Sequence, residues 1–159
     1  MIVRTARLSD AEAIVHVHYA AVHAIPDELY SSEIKEAWSR LPDEARYQWM
    51  RNIITQGNEL IVVAEDDNGI VAFGVVSPES RELRALYVHP SVGGRGIGRT
   101  LVQKLESRCI GQGIRSLRLN ASLNAELFYR KHGYRILQRD TFKLSADDHM
   151  ACVKMEKDL

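Results

Sequence analysis

The chain has 159 residues, 45% of them hydrophobic and 26% charged, which fits one domain with a real apolar core. Lys+Arg and Asp+Glu balance at 21 each, whereas a nucleic-acid binder normally carries a net basic surface. Met1-Ile2-Val3-Arg4-Thr5 lacks a signal-peptide apolar region, no run approaches bilayer-spanning length, and Cys109 and Cys152 form no C-x-x-C pair. A cytoplasmic protein is expected, with no nucleic-acid or membrane partner, no metal, and both thiols buried as small apolar groups.

No Pro/Gly/Ser-rich linker or repeat divides residues 1–159, so a single domain is expected. Residues 2–7 read as an opening strand. Ser9 and Glu12 have capping-box spacing, and a helix with Ile14, Val17, Ala21 and Ile25 on its apolar face follows until Pro26. A short helix is expected from Ser32 to Ser39, and a third from Pro42-Asp43 to Gly57 with Tyr47, Met50 and Ile54 on one face. The pattern then changes to β-type runs, Leu60–Glu65 and Ile70–Val76, joined by Asp67-Asn68-Gly69, where Asn and Gly tolerate positive φ. Glu82–Val88 reads as a strand closed by His89-Pro90, and Gly98–Cys109 as a helix ended by Gly111 and Gly113. Arg115–Asn120 is a strand, Leu123–His132 a helix, and two strands near 134–143 and 149–156 finish the chain. The order predicts a mixed α/β domain of the α+β type on one mostly antiparallel sheet.

Gly93-Gly94-Arg95-Gly96-Ile97-Gly98 stands between a strand and a helix. Glycine permits positive φ and close ligand approach, and unpaired amides at a helix start favour anions, diphosphate above all. Arg95 and Arg99 add positive charge; a glycine-rich turn with no ligand is the plainer alternative. The dinucleotide fingerprint G-x-G-x-x-G fails in both registers, at Arg99 and at Arg95. The P-loop pattern fits Gly93, Gly98 and Thr100 but has Arg99 in place of its phosphate-reaching lysine.

Glu82-Leu83-Arg84-Ala85-Leu86-Tyr87-Val88-His89-Pro90 followed by Gly93–Gly98, with Ala125, Phe128-Tyr129 and Gly133-Tyr134 downstream, resembles the two conserved blocks of the GNAT superfamily of acetyl-CoA-dependent N-acetyltransferases. The resemblance implies a sheet with splayed central strands, acetyl-CoA (coenzyme A) as cofactor, and an amine of a small molecule or peptide as acceptor. Main-chain groups around Leu86, Tyr87 and Val88 would lie along the pantetheine arm, as a peptide adds to a sheet edge. Amides of Gly94, Arg95, Gly96, Ile97 and Gly98, with Arg99 and Thr100, would hold the diphosphate. Gly93 stands where the family usually has Gln or Arg, and Ser122 where many members carry Asn, with Asn120 and Asn124 close by. A homodimer is a common family outcome. A non-catalytic acyl-CoA sensor is the competing reading, and a P-loop nucleotide-binding protein a third.

Acetyl transfer to an amine needs a base for the amine, stabilisation of the oxyanion and a proton for the departing thiolate. Tyr129 matches the family's tyrosine acid. Glu82, fourteen residues before Gly96, resembles the glutamate base of histone-type members; it reads equally as a solvated strand-end residue. Glu65 is a second base candidate. For the acceptor, His16, Tyr19 and His23 share one helix face, and Tyr30 and Glu82 complete a candidate pocket suited to a cationic amine. Trp38 and Trp49 read as packed core residues.

Overall fold

Strand β1 covers Ile2–Thr5, β2 Leu60–Asp66, β3 Gly69–Ser77, β4 Glu82–Val88, β5 Ser116–Ser122, β6 Arg135–Lys143 and β7 His149–Asp158. In the computed structural model, which describes residues 1–159, they form one sheet ordered β1-β2-β3-β4-β5-β7-β6. Every neighbouring pair is antiparallel except β4 with β5. The mixed, mostly antiparallel sheet expected from the element order is present.

Helices α1 (Ala11–His23), α2 (Ser32–Trp38) and α3 (Glu44–Gln56) precede β2, while α4 (Ile97–Gly111) and α5 (Glu126–Lys131) flank β5. Strands β2 and β3 are continuous apolar runs because both faces of the sheet are covered. On one face Val62, Ala64, Ala72 and Val76 pack with Leu101, Val102 and Leu105 of α4. On the other, Ile61, Val63, Phe73 and Val75 pack with Ile14 and Val17 of α1 and Met50 of α3. The α4 face lies so close that a Cβ on Gly74 would sit 2.6 Å from Leu105 Cδ1.

Capping explains two helix starts. Ser31 Oγ accepts the Ile34 N–H at 3.3 Å, and Asp43 Oδ1 accepts the Arg46 N–H at 2.9 Å. The Ser9–Glu12 capping box does not form. A 3₁₀ turn at Leu8–Asp10 precedes α1, and the Asp10 carboxylate turns back to the Arg7 N–H at 2.7 Å and to Arg4 at 2.7 Å. Ile25 also lies beyond α1, in a separate small cluster with Tyr30 and Met150. In the β2–β3 hairpin only Gly69 takes positive φ, at 106°. Asn68 keeps negative φ because its N–H bonds Asp66 Oδ1 at 2.8 Å.

Two irregularities in β4 shape the molecule's centre. Val75 pairs with Ala85 but Val76 with Leu83, so Arg84 is a bulge residue without a partner. Strands β4 and β5 share a single register pair, Glu82 with Arg118, and diverge beyond it. The splay implied by the resemblance is therefore present.

Candidate active site

Divergence of β4 from β5 leaves one edge of β4 unpaired. The His89 N–H donates to Val71 O at 2.8 Å, and strand backbone groups alternate in direction. Tyr87 therefore spends its main-chain groups on β3, while those of Leu86 and Val88 face the gap. Of the three residues expected along the pantetheine arm, Leu86 and Val88 offer backbone there, and Tyr87 offers a side chain.

At the end of β4, His89-Pro90 turns the chain into the glycine loop. Gly94 and Gly96 have φ of 76° and 79°, the left-handed region in which glycine is favoured. Gly93 is extended instead, with φ of −60°. The amides from Gly94 through Arg99 have no acceptor inside the protein; the next, Thr100 N–H, bonds Gly96 O at 3.1 Å. These donors, at the positive end of a helix of 15 residues, form a cradle suited to a diphosphate. Arg95 and Arg99 are exposed beside it and carry no ion pair. Ile97 is different: its side chain is buried in the α4 core, so only its amide is available.

The gap between β4 and β5 holds a cavity of about 410 Å³ lined by Glu82, Leu86, Tyr87, Ser122 and Tyr129 among others. Asn120 also lines it, whereas Asn124 is exposed outside it. Tyr129 is buried, and burial, followed by the neighbouring Tyr87, raises its hydroxyl well above the usual phenol range. The hydroxyl keeps its proton at any working pH. Glu82 enters the same cavity with its side chain 35% exposed and 3.8 Å from Arg84.

A second cavity, of about 900 Å³, lies on the α1–α3 side. Trp38, Arg84, Ala85, Tyr87 and Phe142 line both cavities and so form their common boundary. Tyr19 and His23 share a face, as the helical wheel has them, but that face borders neither cavity. Tyr19 and His23 stack on each other at 4.1 Å, and His23 Nε2 donates to Ser39 O at 2.8 Å. The Tyr30 hydroxyl donates to Ala151 O at 2.6 Å and accepts the Leu123 N–H at 2.8 Å. None of the three lines either cavity; only Glu82 of that set does. Glu65 is also removed from both, paired to Arg4 at 2.9 Å.

Other side chains border the larger cavity. Trp38 and Trp49 are cavity walls rather than core, Trp49 with 61% of its surface exposed. His18 bonds Ser39 Oγ through Nδ1 at 2.8 Å and meets the Tyr87 ring edge-on at 4.6 Å. Burial lowers its pKa to about 4, with Arg46 and His23 adding to the shift. Glu59 sits at 3.3 Å from Arg84 through Oε1 while its buried Oε2 has no partner. No motif marks these residues. Their sole sequence signal was the density of aromatic and polar residues in the helical first third.

A family model described as an acetyltransferase (GNAT) domain matches residues 27–159. No curated sequence matches the chain significantly. Among solved structures, a GCN5-related N-acetyltransferase from Rhodopseudomonas palustris is 29% identical, with a TM-score of 0.86 over 99% of this chain and 95% of its own. The PaiA N-acetyltransferase of Thermoplasma acidophilum, solved with coenzyme A, is 23% identical at a TM-score of 0.79, covering 99% and 98%. A phosphinothricin acetyltransferase from Sinorhizobium meliloti, solved with acetyl-CoA, is 21% identical at 0.74, covering 99% and 88%. With a family match over most of its length and the splayed sheet to go with it, this chain belongs to the GNAT acetyltransferase family.

Proposed function

We propose that this acetyltransferase moves an acetyl group from acetyl-CoA to a primary amine of a small molecule or peptide by direct attack. Tyr129 is the general acid and Glu82 the base. The observation that carries the reading is the arrival of both side chains at one cavity, in the gap between β4 and β5.

The residues present fit coenzyme A. Partnerless amides from Gly94 to Arg99 suit its diphosphate, and the free β4 edge at Leu86 and Val88 suits the two amides of its pantetheine arm. Ser122 offers one hydrogen bond to that arm, and the missing side chain at Gly93 leaves the diphosphate to backbone donors. Acetyl-CoA supplies an acetyl group activated as a thioester. Glu82 accepts the proton that the acceptor nitrogen sheds, and Tyr129 Oη gives one to the sulfur as the N–C bond forms and the C–S bond breaks. A main-chain N–H of β4 near Leu86–Val88 faces the gap and serves the developing oxyanion. The 900 Å³ cavity admits the acceptor to the shared boundary at Ala85. Residues 1–159 act as one GNAT domain in this reading, since a single sheet runs through β1 and β7.

Thiol release from acetyl-CoA with an amine panel tests the proposal, together with calorimetric binding of coenzyme A. Replacing Tyr129 with Phe, or Glu82 with Gln, is expected to lower kcat about 10²-fold, the usual weight of one acid or base. Coenzyme A affinity should stay within about threefold, since neither change touches the diphosphate cradle. Tight binding of coenzyme A with no turnover of any amine would favour a sensor, and unchanged kcat in both variants would remove the assigned roles.

A further inference from the structure

Three guanidinium groups border the larger cavity: Arg40, Arg46 and Arg84. Arg84 lies between Glu59 at 3.3 Å and Glu82 at 3.8 Å. Arg40 and Arg46 have no carboxylate within ion-pair distance. Asp43, the acid nearest them in sequence, uses Oδ1 on the Arg46 backbone N–H.

Arg46 is half-buried, and that burial lowers its pKa. Its guanidinium donates to the Arg40 carbonyl, to His18 Nδ1 at 3.3 Å and to Ser39 Oγ at 3.4 Å. Arginine only donates, so His18 Nδ1 is an acceptor and the imidazole proton sits on Nε2. This wall of the cavity therefore carries two like charges, the exposed Arg40 and the half-buried Arg46, neither in an ion pair, with Asp43 the nearby carboxylate that offsets part of the Arg46 charge. A partly desolvated cation without a paired anion is unfavourable, and arginine's planar fork matches an oxyanion such as a carboxylate, the one that an amine acceptor of the amino-acid class carries. Elsewhere on the same cavity wall, the unpartnered Glu59 Oε2 has the opposite need, for a cationic donor.

We infer that the acceptor is an amine that itself carries a carboxylate, of the amino-acid class with an apolar or aromatic side chain. Arg40 and Arg46 hold its carboxylate, Glu59 draws its ammonium group toward the cavity boundary at Ala85, and Trp38 and Trp49 flank its side chain. The inference rests on the acetyltransferase reading above and narrows its acceptor.

The test measures kcat and KM for phenylalanine, methionine and tryptophan beside their amides and their decarboxylated amines. The free acids should lead by about tenfold or more in kcat/KM, because a site built to bond a group discriminates against its absence. In Arg40→Gln and in Arg46→Gln the acid-to-amide ratio should collapse toward one, through KM rather than kcat. Arg46 also braces the α2–α3 turn, so if Arg46→Gln melts early, Arg40→Gln decides. Amides or plain amines used as well as the acids by the unaltered enzyme would overturn the inference while leaving acetyl transfer intact. Turnover of no amine, with coenzyme A bound, would fail the acetyltransferase reading itself. Calorimetry with N-acetylphenylalanine and its amide then decides the acceptor class without catalysis: tighter binding of the acid, weakened about tenfold by Arg40→Gln, supports it, and equal binding overturns it.

Discussion

His18 illustrates how a single side chain ties the larger cavity to stability. Its folded-state pKa of about 4 lies below the ordinary histidine value of 6.5 because burial disfavours the charged imidazole. Above pH 6.5 both folded and unfolded forms are neutral and the fold has its full stability. As pH falls from 6.5 to about 4, the unfolded chain takes a proton that the folded chain refuses, so stability drops by about 3 kcal/mol. Urea unfolding between pH 7 and pH 4.5 should show that slope, and His18→Gln should flatten it; an unaltered slope in the variant counts against the assignment. The roles proposed for Tyr129 and Glu82 start from motif positions that the sequence itself displays. The surroundings of His18, Arg46 and Glu59 are not legible there, since they arise only after α1, α2 and α3 pack on the sheet. Tyr30, an aromatic with a polar tip expected in the acceptor pocket, instead lies outside both cavities and spends its hydroxyl donor on Ala151 while accepting from Leu123.

At the level of elements, the glycine loop and the start of α4 behave as one device. Gly96 caps α4 with φ of 79°, and a Cβ there would meet nothing within 4 Å. Gly96→Ala therefore acts through backbone strain alone, about 1–2 kcal/mol. Because that strain is relieved by turning the cradle amides away, coenzyme A affinity should fall about tenfold by calorimetry, with a small change in melting temperature. Affinity unchanged alongside the full loss of stability would separate the loop from the cofactor. Local chemistry made most elements legible: Asp43 marks a helix start, Gly113 turns the chain with φ of 80° after α4, and apolar runs mark β2 and β3. The misreadings were also local. No side chain caps α1: the Asp10 carboxylate bonds the Arg7 N–H and Arg4, the latter a contact made only once β1 and α1 are placed together. The bulge at Arg84 has no sequence signature, since it depends on β3 pairing across it.

For the molecule as a whole, the Tyr30 hydroxyl joins chain segments that are distant in sequence, reaching Ala151 and Leu123 from the α1–α2 connection. Tyr30→Phe removes both bonds and leaves the Leu123 N–H and Ala151 carbonyl without that partner, at a cost of about 1–3 kcal/mol in chemical denaturation. The kcat/KM ratios among acceptors should stay as they are, because Tyr30 lines neither cavity; altered acceptor preference would return it to the site. The family was legible as a resemblance carried by the two motif blocks, and the sheet class and the glycine loop from residue order, since helix periodicity, turn glycines and a short loop before α4 are short-range properties. The two cavities, their common wall and the arginines beside the larger one were not. They arise where β4 parts from β5 and three helices close over the opposite face, and side chains there are neighbours only through long-range packing.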